Sequence, residues 1–205
     1  MSTSESIRYG IDLGTTNSSI ALMVGDRVEV VRNKFNLETT PSVVAFWRES
    51  GQTQVEVGQL ARQMILRDGA RVAAEFKQNM GDASVMFEGH DVRESAHQLS
   101  ARVVRELCAS VKRQVGLPSA RAALITVPAA FKNPARDDTQ RAGEAAGLAY
   151  VELFPEPCAA ALAYGRHANA QRAPIWLAFD LGGGTFDAAL VRAQEGVFTV
   201  LDSEG

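Results

Sequence analysis

The sequence predicts an α/β fold in which helices flank a mixed β-sheet. Three strand-like apolar runs follow one another at residues 7–13, 18–24 and 27–32, and Gly25-Asp26 is a hairpin signal between the last two. After an inserted segment, helical and strand-like patterns alternate through the second half of the chain. This order is typical of a mixed sheet covered by helices, and it differs from the strict strand–helix alternation of a dinucleotide-binding fold.

Periodicity and turn residues place the remaining elements. A long helix is expected at 95–115, because apolar residues recur there at spacings of three and four, and Gly116 suits its C-terminal cap. Asn133 and Pro134 predict an N-cap and a first-turn proline for the next helix. The other predictions, in order, are small strands and loops over 35–60, a strand at 122–127, the helix from 133 to 147, a strand at 150–154, a helix from Pro157 to about Gly165, and a two-stranded hairpin over 175–203 that turns at Glu195-Gly196 and begins a second domain.

Composition and charge exclude several classes of function. The 205 residues are 46% apolar and 22% charged, as in a globular protein with a sizeable core. The net charge of −3 comes without a basic block, so a nucleic-acid partner is not expected. The start of the chain does not read as a signal peptide, and no apolar run is long enough for a membrane. Cys108 and Cys158 lie far apart, which favours two buried thiols in a reducing compartment, and the cytoplasm is the expected location.

The most informative feature is a turn that occurs twice between strand-like runs. The first copy is residues 12–16 (DLGTT) and the second is residues 180–185 (DLGGGT). Glycines allow backbone N–H groups to converge on an anion, and the threonines add hydroxyl donors. The carboxylates of Asp12 and Asp180 repel phosphate, but a hydrated Mg²⁺ between carboxylate and phosphate removes this conflict. The repeat therefore predicts a Mg²⁺-nucleotide site.

Five ordered segments resemble the seventy-kilodalton heat-shock chaperone family of the DnaK type. They follow the order of the family at compatible spacings, and the resemblance runs from about residue 7 to the end of the chain. The segments are residues 9–18 (YGIDLGTTNS), 39–46 (TTPSVVAF), 127–131 (VPAAF), 156–165 (EPCAAALAYG) and 179–187 (FDLGGGTFD). The resemblance implies the actin-like ATPase fold, with two lobes built on ribonuclease-H-like sheets and ATP between them. Departures near Lys34 and after Lys77 suggest a specialised bacterial paralogue.

The resemblance also implies roles for individual residues. Lys77 would contact the γ-phosphate and the attacking water, and Glu156 would act beside Mg²⁺ and relay to the hinge proline, Pro128. With them, Asp180 and Thr185 complete the catalytic set. The metal would be held by Asp12 and Asp180, through water. The nucleotide, ATP or ADP, would be bound by Gly14, Thr15, Thr16, Asn17, Gly182, Gly183, Gly184, Thr185 and Asp187.

The resemblance implies a division of the chain and a set of partners. Residues 1–34 and 112–169 would form the core of the first lobe, 35–111 an inserted outer subdomain, and 170–205 the first hairpin of the second lobe. The chain would be the N-terminal part of a longer chaperone ATPase, and alone it is expected to bind ATP weakly. Implied partners are unfolded peptides, a J-domain co-chaperone and a nucleotide exchange factor. The alternatives left open are a sugar or acetate kinase and an actin-like filament protein of the same fold.

Overall fold

The structure, a computed structural model, describes residues 8–116, 120–167, 175–182, 186–194 and 196–204. In chain order the strands are β1 (Tyr9–Asp12), β2 (Asn17–Val24), β3 (Arg27–Val30), β4 (Thr40–Pro41), β5 (Val43–Glu49), β6 (Gln52–Val57), β7 (Arg71–Ala74), β8 (Phe87–Gly89), β9 (Val92–Glu94), β10 (Ala122–Val127), β11 (Tyr150–Pro155), β12 (Ile175–Leu181), β13 (Phe186–Gln194) and β14 (Val197–Glu204). The helices are α1 (Gln59–Gln63), α2 (Ala96–Val115), α3 (Asn133–Ala145) and α4 (Glu156–His167), and two 3₁₀ turns span Met64–Leu66 and Phe76–Asn79.

A mixed sheet of six strands lies at the centre. Its order is β11-β10-β1-β2-β3, and β4 pairs with the start of β2. β1 is parallel to β10 and antiparallel to β2, and β10 is parallel to β11. The predicted mixed sheet is therefore confirmed, and β1 lies between its parallel and antiparallel halves.

Helix α2 supplies much of the core that covers this sheet. The predicted apolar stripe is buried except at its end, where Val115 is exposed. Leu99, Val103, Leu107 and Val111 are each at most 2% exposed. These side chains share one cluster with Ile20 of β2 and residues of β1 and β10. The helix ends as predicted, because Gly116 has φ +69° and its N–H bonds to the Lys112 carbonyl.

The segment between β4 and α2 forms two small sheets of its own. β5 lies between β6 and β7, and β8 and β9 form a hairpin. Small strands within 35–60 were predicted, whereas α1, β7, β8, β9 and both 3₁₀ turns were not. These elements have three to five residues each, which is too short for an apolar period to be recognised.

Three sequence-based expectations need correction. Helix α3 begins at Asn133 and its N-cap is Lys132, so Asn133 is not the cap. Helix α4 begins at Glu156, one residue before the predicted Pro157. The last segment contains three antiparallel strands and not two, because β13 pairs antiparallel with both β12 and β14. Of the predicted Glu195-Gly196 turn, Glu195 lies outside the described residues.

The β12-β13-β14 sheet has one packed face and one open face. Trp176, Val191 and Phe198 pack with Cys158 and Ala161 of α4. On the opposite face four alternate side chains of β12 are exposed, by 47% to 83% of their surface: Ile175, Leu177, Phe179 and Leu181. The alternation of β12 thus divides its apolar residues between a small core and solvent.

The cysteines agree with the prediction of two buried thiols. Cys108 and Cys158 are free and buried. Burial raises the pKa of the Cys108 thiol to about 11, which keeps it protonated and unreactive at neutral pH. Among the helices within the described ranges, none combines the length and apolarity needed to cross a bilayer.

Candidate functional site

One cleft of about 570 Å³ collects the predicted site residues that the structure describes. Its walls come from the β1–β2 turn, the 3₁₀ turn at Phe76–Asn79, the start of α4 and the end of the β12–β13 hairpin. Ten predicted residues line it: Asp12, Gly14, Thr15, Thr16, Asn17, Lys77, Glu156, Asp180, Gly182 and Asp187. The other three, Gly183, Gly184 and Thr185, lie outside the described residues. Residues up to 175 positions apart in sequence thus meet at one place.

The β1–β2 turn is tight enough to require glycine at its first position. A Cβ on Gly14 would lie 2.1 Å from the Asn17 carbonyl oxygen, closer than any real contact. Thr15, Thr16 and Asn17 follow on the cleft side, and Thr16 and Asn17 are exposed. Such a turn presents backbone N–H groups and hydroxyls to the cleft, the donors that an anionic phosphate needs.

Two buried serines hold this turn from behind. The Ser42 hydroxyl donates to the Gly14 carbonyl at 2.7 Å, and the Gly14 N–H donates to Ser18 Oγ at 3.2 Å. The two hydroxyls are 2.9 Å apart, and both side chains are 1% exposed. Their role was missed, although Ser42 stands between a proline and an apolar run, where a buried polar residue signals a bonding partner.

Asp12 is oriented by the neighbouring parallel strand. It ends β1, and Thr126 Oγ1 of β10 donates to Asp12 Oδ1 at 3.0 Å. Asp12 is exposed and lines the cleft. Sequence reasoning missed Thr126, because it is 114 residues away and reaches Asp12 only through the β1–β10 pairing.

The second acidic turn places two carboxylates side by side. Asp180 of β12 and Asp187 of β13 are direct cross-strand partners. Burial, followed by the charge of Asp180, raises the pKa of Asp187, and Lys77 opposes this only in part. Like charges opposite each other in a sheet are unfavourable unless a cation compensates them.

Lys77 and Glu156 form a buried ion pair at the floor of the cleft. Lys77 Nζ lies 2.7 Å from Glu156 Oε1, and the side chains are 8% and 13% exposed. The Phe131 ring lies 5.9 Å from the ammonium. Burial is the largest influence on Glu156 and raises its pKa, the ammonium of Lys77 acts against this, and Asp12 and Asp180 raise it further. The cleft therefore holds a fixed cation among several carboxylates.

The donors in the cleft fit a hydrated divalent ion better than a directly enclosed one. Within the described ranges, no three side chains of His, Cys, Asp or Glu converge closely enough to enclose an ion. Asp12 and the Asp180–Asp187 pair nevertheless line one space with an excess of negative charge. Mg²⁺ is bound in this way in many nucleotide sites, with one or two carboxylates and several waters.

A comparison with known protein families agrees with the resemblance seen in the sequence. The profile of the Hsp70 protein family matches two overlapping stretches, residues 8–94 and 82–205. Members of this family are chaperone-type ATPases with the actin-like fold, and they generally bind ATP or ADP with Mg²⁺. The mixed sheet flanked by helices agrees with the α/β architecture expected of that fold. The chain therefore belongs to the Hsp70 family.

Proposed function

We propose that the cleft binds Mg²⁺-ATP and hydrolyses its γ-phosphate bond. The convergence of ten predicted residues on one cleft carries this proposal. In it, the 14–17 turn and the Gly182–Thr185 turn bind phosphate oxygens from two sides. Asp12 and Asp180 hold the waters of the metal, and Asp187 helps to orient the attacking water.

Lys77 is the proposed catalytic cation. Its ammonium is already desolvated and fixed by Glu156, so little reorganisation is needed when charge develops on the transferred phosphoryl group. Glu156 holds Lys77 in position, and its burial raises the pKa of its carboxyl above the ordinary value. When bound, Mg²⁺ would neutralise phosphate charge and polarise the bond that breaks.

In the intact protein, ATP hydrolysis would drive a cycle of peptide binding and release. Unfolded peptides, a J-domain co-chaperone and a nucleotide exchange factor are the proposed partners. We propose a division into a core (1–34 and 112–169), an outer part (35–111) and the start of a second lobe (170–205). The pairing of β5 with β6 and β7, the β8–β9 hairpin and the separate β12-β13-β14 sheet support it, whereas β4 of the outer part pairs with β2 of the core. A DnaK-type, specialised bacterial member acting in the cytoplasm remains our prediction, and the free cysteines are compatible with that compartment.

The direct test is Lys77→Ala. We expect turnover of radiolabelled ATP, measured with protein in excess over nucleotide, to fall by about 100-fold, the usual loss when one charge-stabilising group is removed. ATP affinity should change much less, because the 14–17 turn remains intact.

Lys112→Ala is the matched control. This lysine is exposed at the last turn of α2, far from the cleft lining, so its removal should leave turnover within about twofold. Equal turnover in the Lys77→Ala variant and the parent would contradict the proposed role of Lys77. Phosphorylation of a small acceptor instead of water would favour the kinase alternative.

A further inference from the structure

Helix α3 carries one buried carboxylate outside the cleft. Asp138 is 6% exposed, whereas its neighbour Asp137 is exposed. Asp138 occupies the stripe of α3 that faces the protein, between Ala135 and Ala142. A carboxylate in that position costs free energy unless it is bonded, so its partners indicate its role.

The partner that matters is a backbone group. Asp138 Oδ2 accepts a hydrogen bond from the Gly81 N–H at 2.9 Å. Its other oxygen lies 3.4 Å from the Arg141 guanidinium and 3.8 Å from His97 Nδ1. The Arg141 guanidinium offsets the charge of Asp138, while the bond to Gly81 fixes a loop on the helix.

The Gly81 position allows no other residue to make this contact. Gly81 has φ +87°, and a Cβ there would lie 2.8 Å from the Ala135 nitrogen and 3.2 Å from the Pro134 carbonyl carbon. The backbone of the loop therefore rests directly on the first turn of α3. A hydrogen bond at such a close approach fixes the loop in direction as well as in distance.

The fixed loop is the end of the turn that carries Lys77. The 3₁₀ turn Phe76–Asn79 closes with a bond from the Met80 N–H to the Lys77 carbonyl at 3.2 Å, and Gly81 follows directly. On the other side, Lys77 meets Phe131 from the segment before α3. The β10–α3 unit thus contacts the lysine turn at two places.

We propose that Asp138 is a positioning residue for Lys77, acting through its hydrogen bond to Gly81. The inference rests on the proposed function, since it assigns Asp138 to the same reaction. Asp138 would touch neither nucleotide nor metal, because it does not line the cleft. Its loss would leave ATP binding intact and let the ammonium move out of line, and small displacements of a catalytic group cost much of its effect.

The test combines Asp138→Ala with Lys77→Ala. We expect Asp138→Ala to lower kcat by about tenfold with an unchanged KM for ATP, and to have no further effect in the Lys77→Ala background. Asp138→Asn should recover most of the rate, because its amide oxygen can accept the same hydrogen bond. Asp137→Ala is the matched control and should not change kcat.

Hydrogen exchange gives a readout that does not depend on activity. In Asp138→Ala, amides of the 76–82 segment should exchange at least about tenfold faster, and in Asp137→Ala they should not. If the alanine variant does not fold, Asp138→Leu, which fills the space without accepting a bond, carries the same expectations.

Two results would overturn the inference. One is unchanged exchange over 76–82 in the Asp138 variants. The other is that Asp138→Ala lowers kcat by the same factor in the parent and in the Lys77→Ala variant. If Lys77→Ala alone does not lower turnover, the proposed function fails. The exchange measurement then shows by itself whether the Asp138–Gly81 bond holds the 76–82 segment.

Discussion

At the scale of single residues, the cleft stores unfavourable charge that a ligand would relieve. Asp180 and Asp187 are cross-strand partners on β12 and β13. The charges of Asp12 and Asp180 both add to the raised pKa of Glu156. Lys77 is the cation among the described residues of the cleft lining. These uncompensated carboxylates lower the stability of the fold at the place where a metal and phosphates would bind, as is common at functional sites.

This imbalance predicts how one substitution changes stability with pH. The pKa of Asp187 is raised above its ordinary value of 3.8, first by burial and then by Asp180. The folded state therefore holds the proton more tightly than the unfolded state, and ionisation costs stability as the pH rises through that window. We expect Asp187→Asn to melt at a higher temperature than the parent at neutral pH, with the difference shrinking toward about pH 4.

The control for this prediction is Asp202→Asn, at an exposed position on β14 outside the cleft lining. Its melting temperature should follow that of the parent across the same pH range. An Asp187→Asn variant that is less stable than the parent at neutral pH would show that the carboxylate is needed for folding and is not a source of strain.

At the scale of elements, helix α3 lies unusually close to the sheet. A Cβ on Gly143 would be 2.6 Å from Val151 Cγ2 and 3.1 Å from Ile125 Cδ1. Asp138 and Gly143 are both buried residues of α3, so a shift of this helix against the sheet would also reach the Asp138–Gly81 bond and the lysine turn.

Gly143→Ala therefore has two opposing effects on stability, a gain in helix propensity and a loss in packing. Alanine favours the helix by about 1 kcal/mol, whereas forcing a methyl group into a filled interface costs about 1–3 kcal/mol. We expect a net loss of about 1 kcal/mol in the free energy of unfolding, measured in urea. In a Val151→Ala background the contact is removed, so the same substitution should become stabilising. A stabilising effect in the parent would mean that the interface has room to adjust.

The elements also show which features could be predicted from the sequence. Helix α2 was predicted with its buried stripe and its Gly116 end, because twenty residues of regular period suffice to recognise a helix. β8 and β9 were not, because three residues carry no period. Asp138 could have been found, since it falls on the buried stripe of α3, but its bond to Gly81 spans 57 residues and cannot be read locally.

Ten residues that line the cleft could be named from the sequence, whereas most residues that support them could not. Asp12, Lys77 and Asp180 are recognisable from motifs, because their chemistry fixes their neighbours in sequence. The supporting roles of Ser42 and Thr126 were missed, because each bonds to a residue in a distant segment. Ser18 was missed although it bonds to Gly14 only four residues away. Motifs record what touches a ligand, whereas the residues that hold those motifs in place depend on the tertiary fold.

At the scale of the whole molecule, the cleft joins parts of the chain that otherwise have separate sheets. Asp12 belongs to the central sheet, and Asp180 and Asp187 belong to the β12-β13-β14 sheet. A ligand that contacts all three would stabilise both sheets together.

We accordingly expect Mg²⁺ and ATP to raise the melting temperature only in combination. A ligand at 100 times its Kd adds about 2.7 kcal/mol of stability, which thermal melting detects easily. EDTA should abolish the shift, and Asp180→Asn should reduce it. An equal shift with ATP alone would show that the carboxylates do not act through a metal. The exposed Asp202→Asn variant should keep the full shift.

The position of β1 in the central sheet has a consequence for synthesis on the ribosome. One edge of β1 pairs at once with β2, but its other edge waits for β10, whose Ile125 pairs with Ile11. At usual rates of translation, roughly 6–20 s separate the appearance of these two residues. Until then the nascent chain carries an open strand edge beside the apolar side chains of β2. During its own synthesis, a protein of this chaperone-type family would thus expose the same features as the unfolded peptides that it is proposed to bind.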